Sequence, residues 1–222
     1  MRQIVLDTET TGLSPQQGHR IIEVGCIELI NRKITGNNLH FYINPEREID
    51  KGAQEVHGLT TEFLQDKPVF ADIAQPLFNY LNGAELVIHN APFDIGFLNY
   101  EFKLLKAHYG RITEHCPVVD SLMIARKKHP GQHNSLDALC RRYFVDNTDR
   151  ELHGALLDAR LLAQVYLLMT GGQAQMFDEN QTNNASAEQM TSAKMERVSL
   201  KVIRASAEEL AAHEEFMKTV VK

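Results

Sequence analysis

The chain has 222 residues, 43% of them hydrophobic and 23% charged, and a formal net charge of −6. That is enough for one well-buried domain plus an appendage, and no apolar run approaches the roughly 20 residues that a bilayer crossing needs. The N-terminus lacks the charged, apolar and small-residue order of a signal peptide, so the sequence reads as cytoplasmic, and so acidic a chain does not hold nucleic acid through a basic surface alone.

Residues 2–6 are a short apolar run and read as a buried strand. Residues 20–30 and 33–43 are two longer strand-like stretches, and Asn31-Arg32 between them fits a tight turn, so the first three strands form an antiparallel meander. The spacing of Phe70, Ile73, Ala74, Leu77, Phe78 and Leu81 predicts a helix over 70–81. Residues 85–89 are another strand. Pro92 suits the first turn of a helix carrying Phe93, Phe97, Leu98, Phe102 and Leu105. A short strand at 117–120 follows, then helices near 121–128, 135–143 and 154–169, the last ended by Gly171-Gly172. This order predicts an α/β fold with a mixed five-stranded sheet flanked by helices. Cys26, Cys116 and Cys140 are odd in number and in no paired spacing, and read as reduced thiols.

The composition then changes. Residues 178–195 contain no aromatic and no branched aliphatic residue, so they cannot bury enough apolar area to offset the entropy of ordering, and they read as a flexible linker between a domain at 1–177 and a tail at 196–222. In the tail, Val198, Leu200, Val202 and Ile203 look strand-like, and Ser206 with Glu209 has the form of a capping box opening a helix. A tail this short does not fold alone. It is a candidate docking segment, or it packs back on its own domain.

Three segments spread over this frame carry acids beside apolar runs. They are Ile4-Val5-Leu6-Asp7-Thr8-Glu9-Thr10-Thr11-Gly12, Leu86-Val87-Ile88-His89-Asn90-Ala91-Pro92-Phe93-Asp94 and His153-Gly154-Ala155-Leu156-Leu157-Asp158. Asp7 and Glu9 are two apart and share one side of an extended strand. Asp94 and Asp158 fall in first helical turns, where the macrodipole favours a carboxylate, and His153 sits in the loop before its helix. Singly, each pattern reads as a solvated acid or a cap. Jointly, Asp7, Glu9, Asp94 and Asp158 are a hard-oxygen set for two divalent cations, Mg²⁺ or Mn²⁺, and His153 is a base able to take a water's proton near neutrality.

These segments resemble the three motifs of the DnaQ-like 3′–5′ exonucleases that use a histidine base. The likeness extends through Asn-Ser-Leu-Asp-Ala-Leu-Cys and Leu-His-Gly-Ala-Leu-Leu-Asp-Ala to about residues 2–172, and runs to the family's proofreading members. It implies a ribonuclease-H-like fold and release of 5′-mononucleotides from a mispaired DNA 3′ end. It implies metal ligation by Asp7, Glu9, Asp94 and Asp158, with substrate contacts from Asp7, Glu9, His57 and Asp158. His57 matches a segment lining the terminal-nucleotide pocket. Many relatives carry an acid just before the alanine matched by Ala53; Lys51 and Gly52 stand there in this chain, so that contact is not carried over.

The resemblance further implies that residues 178–222 tether the chain to a polymerase catalytic (alpha) subunit. Gln173-Ala174-Gln175-Met176-Phe177 is similar to a sliding-clamp-binding pentapeptide, its contacts being Gln173, Met176 and Phe177. A small accessory (theta-like) subunit is also implied. Tethering would supply the high effective concentration that an acidic enzyme needs. Asp120 reads either as an acid behind the site or as the cap of the helix beginning at Ser121. Lys127-Lys128 and Arg141-Arg142 read as solvated helix faces that could reach phosphates. The competing readings are an RNA 3′-trimming exonuclease of the same superfamily and a noncatalytic scaffold between polymerase and clamp.

Overall fold

The computed structural model describes residues 1–105, 109–148 and 152–171. The expected clamp-binding segment Gln173-Ala174-Gln175-Met176-Phe177, the linker 178–195 and the tail 196–222 lie outside the described residues.

The backbone follows the hydrophobic pattern closely. Strands β1 (Arg2–Thr10) and β2 (Ile21–Ile30) pair antiparallel. The turn at Asn31 and Arg32, both at positive φ (50° and 64°), leads into β3 (Lys33–Ile34); paired left-handed residues match the twist of a tight hairpin. The stretch expected as one strand over 33–43 is two, β3 and β4 (Leu39–Tyr42), separated at Gly36, whose φ is 83°. Both pair with β2, so the sheet has six strands rather than five.

Helices α1 (Lys51–His57), α2 (Thr61–Leu64) and α3 (Phe70–Leu81) lead to β5 (Glu85–Ile88). Then come α4 (Ala91–Leu104), α5 (Ile112–His115), β6 (Val118–Asp120), α6 (Ser121–Lys128), α7 (Leu136–Tyr143) and α8 (Ala155–Gly171). The main path across the sheet is β3-β2-β1-β5-β6, with β4 beside β2.

Because side chains alternate along a strand, β1 serves two cores. Ile4 and Leu6 pack with α3 and α4 through Phe70, Leu77, Phe97 and Phe102. Val5 packs with Ile27, Leu29 and Val87 against α7 and α8 through Leu139, Leu162 and Val165. A smaller cluster of Ile22, Ile49 and Leu64 seats α1 and α2. Arg20 and Glu101 tie β2 to α4: Arg20 Nε and Nη2 donate to the two Glu101 carboxylate oxygens at 2.8 and 2.9 Å, and Oε1 also accepts the Ile21 N–H at 3.1 Å. Cys26, Cys116 and Cys140 are buried and form no disulfide with one another. Among the described residues no helix is long and apolar enough to cross a membrane.

Candidate active site

Strands β1, β5 and β6 run parallel, so their carboxyl ends open on one edge of the sheet. Such an edge, flanked by helix N-termini, is where open α/β sheets form crevices. Here it is a cleft of about 280 Å³ whose lining includes Asp7, Glu9, Asp94, Asp137, His153 and Asp158. The three sequence segments therefore meet, although about 60 to 80 residues separate them in the chain.

Asp7 and Glu9 point to the α8 side of the sheet, opposite Gly25 and Glu23 of β2. The glycine is what lets α8 reach them. A Cβ at Gly25 would stand 2.3 Å from the Ala155 carbonyl carbon and the Leu156 nitrogen, a separation that backbone atoms do not allow. An isolated glycine inside an apolar strand marks such a close approach. The first turn of α8 thus lies directly on the strand facing Asp7, and brings Asp158 into the cleft.

Asp94 arrives from the other side. Thr8, between the two acids of β1, faces α4, and its hydroxyl donates to Asp94 Oδ1 at 2.7 Å. Asp94 is 3% exposed. Burial pushes its carboxyl up to about 7, partly offset by the Thr8 hydroxyl and backbone donors and reinforced by the Asp120 charge. A buried acid held partly neutral in a cleft with four other carboxylates is short of positive charge. Asp120 itself accepts the Leu122 N–H at 2.9 Å and the Asn90 N–H at 3.2 Å. It caps α6 and fixes the turn into α4, where Asn90 sits at φ 68°.

His153 Nδ1 lies 3.2 Å from Asp158 Oδ2; the imidazole is 43% exposed and the carboxylate 5%. The loop is held at its base. The His153 N–H donates to the Val56 carbonyl at 3.1 Å, and Leu152 packs where a Cβ on Gly58 would fall. One ligand atom each from Glu9, His153 and Asp158 lie within 4.8 Å of one another. Oxygen-rich donors around a buried acid of raised pKa fit a divalent metal centre, with Asp7, Glu9, Asp94 and Asp158 as the residues able to hold it.

A neighbouring pocket of about 480 Å³ shares Glu9 and Phe93 with the cleft and is walled by Leu13, Ala53, Val56 and His57. His57 belongs to a helix. It is the last residue of α1, which Gly58 ends at φ 72°. Its Nδ1 accepts the Leu59 N–H at 3.0 Å, which leaves the ring proton on Nε2. That Nε2 is buried and unpartnered. Burial holds the ring below the ordinary histidine range, partly offset by Glu23 and by the Thr10 backbone, which falls short of hydrogen-bond geometry with Nε2. Glu23, opposite Glu9, is engaged by His40 Nε2 at 2.7 Å. At Gly52, which lines this pocket, a side chain would meet nothing, so the pocket is open on that side.

Sequence reasoning missed Asp137, which lines the cleft from the first turn of α7 and accepts from Asn147 Nδ2 at 3.2 Å. Its signal was present: an acid two residues after the α7 cap Ser135. It also missed the task of Thr8, whose alternation away from Asp7 already pointed it at another element. Of the four cations expected on helix faces, two are tied down by hydrogen bonds at the surface. Lys128 Nζ donates to the Met169 carbonyl, and Arg142 donates to the Asn134 side chain and the His133 carbonyl.

The RNase T exonuclease family matches residues 4–166. The chain is 54% identical to the DNA polymerase III subunit epsilon of Salmonella typhimurium and 52% identical to that of Escherichia coli K12, each alignment covering all of this chain and 94% of the relative. Among solved structures it resembles exonuclease X in complex with 5′ overhanging duplex DNA, with a TM-score of 0.60, 25% identity and coverage of 78% of this chain and 93% of that one. It also resembles the nuclease domain of 3′hExo, a DEDDh family member, bound to rAMP. There the TM-score is 0.66 at 18% identity, over 78% of this chain and 92% of that one, a likeness of fold.

Proposed function

The chain belongs to the RNase T exonuclease family and, within it, to the DNA polymerase III epsilon subunits, and from that premise we propose how its residues carry out 3′–5′ proofreading. It is a 3′–5′ exonuclease of a DNA polymerase complex, acting on mispaired DNA 3′ ends. The observation that carries the site assignment is the convergence of Asp7, Glu9, Asp94, His153 and Asp158 on one cleft.

Asp7, Glu9, Asp94 and Asp158 would hold two divalent cations, Mg²⁺ or Mn²⁺. When bound, these would polarise the attacking water and neutralise charge on the phosphate and the leaving oxygen. His153 directs its Nδ1 proton toward Asp158, which makes Nε2 the ring nitrogen that carries the lone pair for the proton of the water. Its half-exposed place on a loop anchored at Val56 lets it close on the water once substrate is seated. Burial holds back the ionisation of Asp94, and the Thr8 hydroxyl orients its carboxylate and favours the charged form that a cation would need. Leu13, Val56 and Phe93 give the terminal nucleoside an apolar seat, with His57 in its wall.

Residues 196–222 dock on the polymerase catalytic subunit across the linker 178–195, and Gln173, Met176 and Phe177 contact the sliding clamp. A theta-like accessory subunit is a further partner, and the cytoplasm is the compartment. The family and the acidic charge of −6 support this tethered arrangement, since a tethered enzyme needs little DNA affinity of its own.

The test is direct. Full-length protein with Mg²⁺ should shorten a DNA primer with a mispaired 3′ end faster than an RNA of the same sequence, and Asp7→Ala should abolish this without altering co-purification with the polymerase. Preference for RNA, or full activity in Asp7→Ala, would overturn the substrate or the ligand assignment respectively. Deleting residues 178–222 should spare hydrolysis and abolish co-purification; retained co-purification would remove the tether.

A further inference from the structure

A second cleft, of about 500 Å³, adjoins the metal site, and His89 and Ser135 line both. It lies between the last turns of α6 and the loop 129–135 ahead of α7. Its chemistry is the reverse of its neighbour's. The metal cleft is lined by Asp7, Glu9, Asp94, Asp137 and Asp158, whereas no carboxylate lines this one. Arg126 lines it instead, with His89, His129 and His133 and the polar side chains of Gln132 and Asn134.

The loop wall is built rather than loose. Asn134, 8% exposed, donates from Nδ2 to the His129 and Gln132 carbonyls at 3.2 and 2.9 Å. Its Oδ1 accepts from Arg142 Nη1 at 3.1 Å, and Arg142 Nη2 closes the fork on the His133 carbonyl at 2.9 Å. His129 Nε2 is paired with the Tyr143 hydroxyl at 2.8 Å, and Ser135 caps α7 on the Ala138 N–H. Arg142 and Lys128 are consumed in this architecture. Arg126 is not: it is exposed and makes no hydrogen bond or ion pair with the described residues.

A strand whose terminal phosphodiester lies at the metals must carry its next phosphates out of a ring of carboxylates. The pocket beside His57 offers them Glu9 and Asp50; the Arg126 cleft offers them a free guanidinium and no acid. We propose that this cleft holds the phosphodiester backbone of the substrate strand immediately upstream of the scissile bond, with the Arg126 guanidinium on a phosphate. A planar fork of donors suits a phosphate's oxygens. This rests on the exonuclease reading above, and it explains how a chain of charge −6 guides a polyanion.

The experiment compares the full-length wild type with Arg126→Ala, Arg126→Lys and Lys127→Ala on two substrates. One is a single-stranded DNA oligonucleotide. The other is the p-nitrophenyl ester of thymidine 5′-phosphate, which has no upstream phosphate. Arg126→Ala should raise KM for the oligonucleotide about five-fold and lower the slope of log KM against log salt by about 0.7, the share of one single-strand phosphate contact. Its kcat, and its rate on the ester, should stay at the wild-type level. Arg126→Lys should recover part of the KM, and Lys127→Ala, a cation of the same helix outside the cleft, should leave it unchanged. Wild-type KM in Arg126→Ala, an equal loss on the ester, or an equal loss in Lys127→Ala would overturn the proposal. A wild type inert on both substrates would instead overturn the exonuclease reading itself.

Discussion

Gly25 of β2 and Ala155 of α8 are in such close contact that a Cβ on the glycine would stand 2.3 Å from the Ala155 carbonyl carbon. Gly25 is also the cross-strand partner of Asp7. One residue without a side chain therefore sets the distance between the acids of β1 and those of α8. Gly25→Ala should push the first turn of α8 off the sheet. Overpacking of this kind costs about 1–3 kcal/mol, and a shift of about 1 Å at a catalytic centre costs on the order of 100-fold in rate. Thermal melting and primer cleavage check the two halves; an unchanged rate would show that α8 is not positioned this way.

Thr8→Val removes the hydroxyl that donates to Asp94 at 2.7 Å. The carboxylate then loses a donor that favours its charged form, so the cations must draw out its proton against a larger opposition. The Mg²⁺ concentration for half-maximal activity should rise several-fold while the rate at saturating Mg²⁺ stays close to wild type. A Mg²⁺ titration of initial rates reads both, and an unchanged half-point would contradict the role.

Asp94 gives the metal-free protein a pH dependence of defined sign. Its folded pKa is about 7, above the ordinary 3.8. Between those values the unfolded chain has released the proton and the folded chain has not, so this group's contribution to stability falls as pH rises through the window and levels off above it. Asp94→Asn removes that penalty, which is on the order of 4 kcal/mol. Without metal at pH 8 the variant should melt above the wild type, and at pH 4 the two should coincide. Saturating Mg²⁺ should stabilise the wild type more than the variant. Coincident apo melting curves at pH 8 would refute the buried-acid account.

Glu101 lies seven residues after Asp94, two turns along the same face of α4, and holds Arg20 and the Ile21 N–H. Glu101→Leu leaves a mostly buried guanidinium with only the exposed Glu46 carboxylate at 4.0 Å and strands the Ile21 amide, a change worth about 3 kcal/mol. Urea denaturation should show that loss. Metal affinity should fall with it, because α4 carries Asp94.

Much of this architecture was legible in sequence because it follows from periodicity. The helix at Phe70–Leu81 and the strands around the three acidic segments come straight from apolar spacing. What stayed hidden lacks a local pattern. Lys51–His57 forms a helix although it contains Gly52 and no regular apolar stripe; its support is tertiary, through Ala53 and Leu59 packed on Ile22, Ile49 and Leu64. The break in the third strand is a backbone event at Gly36. In the site, Asp7, Glu9, Asp94, His153 and Asp158 were identifiable because their chemistry is carried by residue type. The partners of Gly25 and Thr8 were not, because a close approach and a hydrogen bond across elements exist only once the chain is folded.

The central claim is that the four carboxylates Asp7, Glu9, Asp94 and Asp158 hold two cations for hydrolysis. Calorimetric titration of the full-length protein with Mn²⁺, in the presence of a nucleoside 5′-monophosphate, tests it most directly. Two ions per chain should bind, as a two-metal site requires, and Asp158→Asn should bind fewer and lose primer cleavage. A wild type that binds no Mn²⁺ and still shortens primers in excess chelator would contradict the account.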